Sequence, residues 1–498
     1  MNNELVNIIF GLKVRQARTA AGLTLSDLAA ASELSPSYMT EIEKGRKYPR
    51  TDKILRMAEA LNIPYDDLVS IRLGPTLSHL ETALNSPLIQ GFPFDEFDLD
   101  ISNLVDMLTR APAKASALLH AMLEIGRQYD LREEHFFWAM LRSFQEIHDN
   151  YFPELEEAAA DFAQASNLSG HLPVTLEMLQ TILEQKFNYV LDDTMLAANP
   201  DLVGYRSVFI QKKRPRLLIN NRLRPNQIKF LLAREIGYQC LGLKERSHMS
   251  SPDRVQSFRQ VHNDFQASYF GGALLIPKQE VLADIETLFN SQSWQPQLLL
   301  HMLQRYDITP EMLLYRFSEL IPQFFGLKLH FLRVHRAGDR YKLIKRLNMN
   351  RLPIPSGLSL DEHYCRRWLT ARLLRDMDEQ GGVAAFRDRP LVGVQMSEFL
   401  NTRERFLCLG FARPLVLSPH IASSVIVGFR EEPDMGNIIR FLDDPAVPAI
   451  VINETCERCP LTAEECKVRA AEPTVLKLEQ TKQARRDALQ KLMAQFQG

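Results

Sequence analysis

Leu231-Leu-Ala-Arg-Glu-Ile-Gly-Tyr-Gln239 has the spacing of a His-Glu-x-x-His metal helix, with other residues at the ligand positions. In such a helix two imidazoles one turn apart hold zinc, and the glutamate between them is the general base. Here Glu235 is present, but Arg234 and Tyr238 stand where the two histidines belong. A cation and a phenol cannot replace two neutral imidazoles on zinc. The stretch predicts a peptidase-like segment that has lost its metal and whose new residues suit a phosphorylated ligand.

Basic and aromatic residues around this helix fit that expectation. Arg206, Lys212, Lys213, Arg214, Arg222 and Arg224 precede it. Guanidinium groups fork onto phosphate oxygens. Tyr238 and Tyr269 suit stacking on, or hydrogen bonding to, an adenine or acyl group. Most surface cations are simply solvated, so the residues singled out for ligand binding are Arg206, Arg234, Tyr238 and Tyr269. Residues 152–350 read as mixed α and β. Strand-like runs fall at Ser207–Gln211 and Leu217–Ile219, helices at Gln227–Leu241, Phe258–Leu275 and onward to Ile321, and a hairpin surrounds Ala337-Gly338-Asp339.

The first 71 residues read as a compact helical unit. Gly22-Leu-Thr-Leu-Ser-Asp-Leu-Ala-Ala opens one short helix, and Ser35-Pro-Ser-Tyr-Met-Thr-Glu-Ile-Glu-Lys-Gly a second. Ser35 suits an N-cap, with Pro36 at the first helical position. Met39 and Ile42 would face the core, leaving Ser37, Tyr38 and Glu41 to meet base edges. Lys44, Arg46, Lys47 and Arg50 cluster past the helix end, where phosphates would lie. The unit carries nine acidic and nine basic residues, so DNA contact must come from this local patch and not from a bulk field.

Cys456-Glu-Arg-Cys459-Pro-Leu-Thr-Ala-Glu-Glu-Cys466 places three thiols in a short turn-forming segment. In a reducing compartment such a group points to a metal or iron–sulfur site more than to disulfides. A zinc site or a 4Fe–4S cluster takes four protein ligands. Cys365, in a polar and aromatic context, and Cys408, in an apolar strand-like run, are the candidates for the fourth. Cys240, at the end of the former metal helix, reads as a packing residue.

The chain's 498 residues predict about two to four domains, with ordinary globular fractions of hydrophobic (45%) and charged (24%) residues. The net charge of −2 excludes a polycation that binds nucleic acid along its whole surface. The start, Met-Asn-Asn-Glu-Leu, lacks the flanks of a signal peptide, and no apolar run approaches the ~18 residues of a membrane helix. A cytoplasmic protein without membrane contact is expected. The expected organisation is a helical DNA-binding domain at 1–71, a helical linker or dimerisation arm at 72–151, the degenerate peptidase-like domain at 152–350, a small α+β cysteine domain at 351–475 and a charged helical tail at 476–498.

Three resemblances follow from these motifs. Residues 8–69, with the Ile-Glu-Lys-Gly-Arg ending, resemble the lambda-repressor-like (XRE) helix–turn–helix family, departing from it at Glu33, near the usual turn glycine, and at Leu25, where a phosphate-touching glutamine is common. Arg-Glu-Ile-Gly-Tyr-Gln239 and Gln266-Ala-Ser-Tyr-Phe-Gly-Gly-Ala-Leu-Leu-Ile-Pro277 resemble the ImmA/IrrE peptidase-like family, with Gln266 where a third ligand carboxylate is usual. The Cys-x-x-Cys segment followed by Cys466-Lys-Val-Arg-Ala looks like the C-terminal domain of the short-chain fatty acyl transcriptional regulators. That last resemblance, in this domain order, implies a DNA-binding regulator of propionate or acetate metabolism, through methylcitrate or glyoxylate genes. It implies an acyl-coenzyme A effector in the metal-free domain, a 4Fe–4S cluster on Cys365, Cys456, Cys459 and Cys466, and a homodimer or homotetramer on an operator. Zinc is the alternative to the cluster. A stress or toxin–antitoxin regulator that recruits a protein, and an active metallopeptidase, are the rival functions; the missing histidines speak against the second.

Overall fold

The structure is a computed structural model that describes residues 3–70, 132–249, 255–355 and 362–495. Residues 71–131, which hold most of the predicted linker or dimerisation arm, lie outside the described residues.

Five helices form the N-terminal unit: α1 (Asn3–Ala20), α2 (Leu25–Ala31), α3 (Pro36–Glu43), α4 (Thr51–Leu61) and α5 (Tyr65–Val69). Local chemistry sets their ends. Thr24 and Asp27 make a reciprocal capping box on α2, with Thr24 Oγ1 accepting from Asp27 N at 3.1 Å and Asp27 Oδ2 accepting from Thr24 N at 2.8 Å. Ser35 caps α3 through the Tyr38 amide, with Pro36 next to it, as predicted. Phe10, Val14, Leu28, Met39, Ile42 and Met57 close the core. The turn between α2 and α3 passes through Glu33 at φ +55°, the left-handed conformation usually given to glycine.

A second unit takes in Arg142–Val255 and the chain from Arg259 onward. It includes α7 (Pro153–Ala165), after α6 (Glu133–Ile147), and α8 (Leu176–Thr181). A small sheet follows, in the order β1–β3–β2, built from β1 (Val190–Asp192), β2 (Ser207–Ile210) and β3 (Arg216–Ile219). The predicted β2 and β3 pair antiparallel, while β1, absent from the sequence reading, joins β3 in parallel. A three-residue strand has too little period to stand out in sequence. Then come α9 (Pro225–Cys240), α10 (Phe258–Leu275), α11 (Lys278–Phe289), α12 (Pro296–Tyr306) and α13 (Pro310–Phe325).

The larger sheet has six strands in the order β5–β4–β8–β7–β6–β9. They are β4 (Leu329–Ala337), β5 (Arg340–Asn348), β6 (Leu391–Phe399), β7 (Arg405–Pro414), β8 (Ala422–Arg430) and β9 (Ala449–Ile452). One face is covered by α14 (Leu369–Glu379), through Leu369, Leu373, Leu374 and Met377. The opposite face turns toward α13 and α11, where Phe429 meets Phe289. The β4–β5 hairpin, placed by sequence with the middle segment, therefore lies in the same sheet as the strands beyond residue 390. Pairing of β4 with β8 joins segments far apart in the chain, which local patterning cannot report. The tail is the helix α15 (Thr474–Gln495), with no buried residue. Among the described residues, no helix is long and apolar enough to cross a membrane.

Candidate functional site

The former metal helix is enclosed. Leu231 through Tyr238 are buried on α9, which packs on α10 at two glycines. An added Cβ would lie 2.8 Å from Ala267 O at Gly237 and 3.0 Å from the Arg234 amide at Gly271. This close approach brings Asp264 against the two substituted ligand positions. Arg234 Nη2 lies 2.9 Å from Asp264 Oδ1, and Tyr238 Oη donates to the same oxygen at 2.9 Å. Burial alone would lower the Arg234 value, but Asp264, Tyr238 and Glu235 together outweigh it and raise it. The carboxylate facing the old ligand positions is thus Asp264 and not position 266. On α10 residues 264, 267 and 271 share the face toward α9, and half-buried Gln266 does not. A guanidinium takes the place of the metal cation and balances the carboxylate.

Glu235 is also paired. Arg246 forks onto it at 2.5 and 2.7 Å, and Tyr189 Oη donates to it at 3.3 Å. Tyr269 belongs to another network, where its hydroxyl donates to Glu156 Oε1 at 2.8 Å and accepts from the Phe152 amide at 3.3 Å. The four residues singled out for the ligand therefore do not form one set. Arg206 and Arg234 lie within electrostatic range of each other, Tyr238 contacts Arg234 and Asp264, and Tyr269 sits apart with Glu156 and Arg316. Cys240, read as packing, is exposed at the end of α9.

A second group of cations reaches Arg206 from the large sheet. Arg333 on β4 and Lys345 on β5 are direct cross-strand partners, and His335 and Arg413 lie on either side of Ser423 on β8. Like charges placed opposite each other destabilise a sheet unless an anion offsets them. Glu311 on α13 does so in part. It is gripped by Arg413 at 2.6 and 3.2 Å and lies 3.9 Å from Arg333. Burial would push the Glu311 carboxyl up, but Arg413 and Arg333 override it and hold it at about 2. Burial and then Arg333 push Arg206 down to about 10, with Arg234 and Arg413 adding to the effect and Glu311 opposing it. Burial pushes Lys345 down to about 8, although Glu319 favours its charge. Yet the Lys345 residue is exposed, and its ammonium lies 3.6 Å from the Tyr315 ring centroid. Arg206, Arg333 and Arg413 thus form one electrostatic neighbourhood around Glu311, with Lys345 beside Arg333. Sequence reasoning missed Arg333, Lys345, Arg413 and Glu311. The available signal was basic residues alternating into an otherwise apolar strand, Leu329-His-Phe-Leu-Arg-Val-His335.

The cysteine segment is held by a short antiparallel contact. Tyr364 bridges Thr455, Cys365 N donates to Glu454 O at 3.2 Å, and Cys456 N donates to His363 O at 2.8 Å. Arg458 forks onto Glu362 at 2.8 Å on both prongs, clamping the two segments. Cys365, Cys456, Cys459 and Cys466 are all buried, and the first and last feel both middle thiols electrostatically. Cys456 Sγ accepts from the Ala470 amide at 3.3 Å. Cys408 lies elsewhere, on β7, with Sγ 3.9 Å from His330 Nε2. Among the described residues, no three His, Cys, Asp or Glu side chains are grouped closely enough to hold a metal ion. The donor set fits a thiophilic centre in kind, being four buried soft donors with an amide directed at one sulfur.

On the N-terminal unit, α3 presents exposed Ser37 and half-buried Tyr38 and Glu41, followed by Lys44, Arg46 and Lys47. Met39 and Ile42 are fully buried, so this face is fixed by the core. The Tyr38 ring lies under two ammonium groups, Lys53 at 4.2 Å and Lys47 at 5.8 Å from its centroid. Lys53, on α4, was not among the residues read from sequence.

Comparison with known proteins agrees with this arrangement. A helix-turn-helix domain matches residues 9–70, and an IrrE N-terminal-like domain matches residues 193–318. The chain is 25% identical over 345 residues to the HTH-type transcriptional regulator PrpR of Mycobacterium tuberculosis, covering 66% of this chain and 67% of that protein. It is 32% identical over 77 residues to the transcriptional regulator ClgR of the same species, covering 16% of this chain and 68% of ClgR. A solved structure described as a Mycobacterium tuberculosis transcriptional regulator aligns with a TM-score of 0.45 at 20% identity, over 66% of this chain and 92% of that one. With its helix–turn–helix head, its IrrE-like domain and its homology to PrpR, the chain belongs to the helix–turn–helix transcriptional regulators that carry an IrrE-like domain.

Proposed function

We propose that this regulator senses an acyl-coenzyme A, and that the cation cluster of Arg206, Arg333, Lys345 and Arg413 receives its phosphates. The observation that carries the reading is that Arg206, Arg333 and Arg413 gather around the single carboxylate Glu311, with Lys345 directly across from Arg333, an excess of positive charge suited to an anionic ligand. Following the resemblance to short-chain fatty acyl regulators, the controlled genes serve propionate or acetate use. The acting form is a cytoplasmic homodimer or homotetramer, so that two α3 helices read half-sites about one DNA turn apart. The effector acts by binding one arrangement of the heads more tightly than another.

In the C-terminal segment, Cys365, Cys456, Cys459 and Cys466 would hold a 4Fe–4S cluster, with zinc as the alternative. A bound cluster supplies redox sensitivity, whereas zinc supplies only a clamp. The protein's own part is to keep the four thiols buried and to direct the Ala470 amide at Cys456.

Calorimetric titration of acetyl-, propionyl- and longer acyl-CoAs into anaerobically purified full-length protein tests the effector. Saturable micromolar binding is expected, weakened about tenfold or more by Arg206→Ala or Arg333→Ala, since hydrogen bonds to charged groups contribute about 1.5–3 kcal/mol. Absence of heat with every acyl-CoA overturns the reading and favours a signal from a protein partner. Iron and sulfide lost on Cys456→Ser support the cluster, and stoichiometric zinc in their place overturns it.

A further inference from the structure

The small sheet has an outer edge at β2, and the chain itself occupies that edge. Met249 bridges Val208 in antiparallel fashion. The Phe209 amide donates to His248 O at 2.7 Å, and His248 Nδ1 lies 3.1 Å from Phe209 O. Immediately before this contact, Arg246 crosses the groove between β2 and α9. Its guanidinium lies 3.8 Å from the ring centroids of both Phe209 and Tyr238. Its prongs bind both oxygens of Glu235, and the two side chains are 8% and 4% exposed. Asn263 Nδ2 holds the strand's entry by donating to Glu245 O at 2.7 Å.

These contacts are those of peptide recognition by strand addition, in which main-chain pairing gives affinity and a side-chain pocket gives selectivity. The pocket is arginine-shaped, with a carboxylate at its base matching the guanidinium fork and an aromatic face on either side. Glu235, the residue left over from the metal helix, has thereby become the floor of that pocket.

We propose that the β2–α9 groove is an arginine-selective peptide site, filled by the chain's own Arg246–Met249 as an internal pseudo-ligand. An extended arginine-containing segment of another protein would compete for it. This reading does not rest on the acyl-CoA proposal, because the groove residues are distinct from the cluster of Arg206, Arg333, Lys345 and Arg413.

The test uses full-length protein and a fluorescent peptide of sequence Lys-Glu-Arg-Ser-His-Met, matching residues 244–249. Arg246→Ala empties the pocket, so the variant is expected to bind the peptide at least tenfold more tightly than the wild-type protein by fluorescence polarisation. Amide exchange at Phe209 is expected to be faster in the variant and to slow again on adding peptide. Binding must be lost when the peptide arginine is replaced by norleucine, and lost again in Arg246→Ala with Glu235→Gln. Equal binding to wild type and variant, or binding indifferent to either change, overturns the proposal. If Arg246→Ala does not fold, Arg246→Lys, which keeps the cation but not the fork, carries the same comparison.

Discussion

Glu319 shows how one residue is governed by its enclosure. It is fully buried beside Arg316, whose guanidinium is shared between Glu319 at 2.9 Å and Glu156 at 2.5 and 2.8 Å. Burial pushes Glu319 up to about 7, against the pull of Arg316. Carboxyls in unfolded chains titrate near 4.3, so through the window up to about 7 the folded state holds the extra proton. Stability contributed by this group is present below that window and falls as pH rises through it, by on the order of 1–3 kcal/mol. Glu319→Gln is expected to flatten the urea-unfolding free energy between about pH 4.5 and pH 7; a slope as steep as that of the wild type would place the proton elsewhere. At this scale the sequence was informative about identity and weak about partners. Arg234 and Tyr238 were legible as lost metal ligands, but Asp264, which turned them into an ion pair, lay two positions from the residue expected to face them.

At the scale of elements, close packing at glycine explains why particular helices sit where they do. An alanine methyl at Gly11 on α1 would come 2.3 Å from Ile42 O and 3.0 Å from Glu43 O on α3. Alanine is the better helix former by about 1 kcal/mol, but overpacking against backbone costs about 1–3 kcal/mol. Gly11→Ala should therefore lower the stability of the N-terminal unit and displace α3, weakening operator binding in a gel-shift titration. Unchanged melting and unchanged DNA affinity would refute that account. Helix boundaries were readable because caps and prolines are local: Ser35-Pro36 predicted the start of α3, and the period of residues 258–275 predicted α10. Strands β1, β6 and β9 were not. β1 and β9 have three and four residues, and β6 mixes Gly393, Gln395, Ser397 and Glu398 into its apolar pattern, because cross-strand neighbours decide such strands.

For the whole molecule, the division of labour follows from which contacts are local. Helix α15 buries nothing, and Leu478, Leu489, Leu492 and Met493 are each more than half exposed. Truncation after Leu478 is therefore expected to change the stability of the rest by less than about 0.5 kcal/mol; a larger loss in denaturant unfolding would reveal a contact made by the tail. The sequence by itself determined the DNA-reading helix, the loss of the metal ligands and the clustering of Cys456, Cys459 and Cys466, because each is written within about a dozen consecutive residues. Only the tertiary structure decided that the β4–β5 hairpin joins the distal sheet, that Cys365 and not Cys408 adjoins the cysteine segment, and that Arg206, Arg333, Lys345 and Arg413 form one cluster of cations. The physical reason is that β-pairing and electrostatic neighbourhood depend on distance in space, and the strands that bring these cations together are separated by up to about 200 residues of chain.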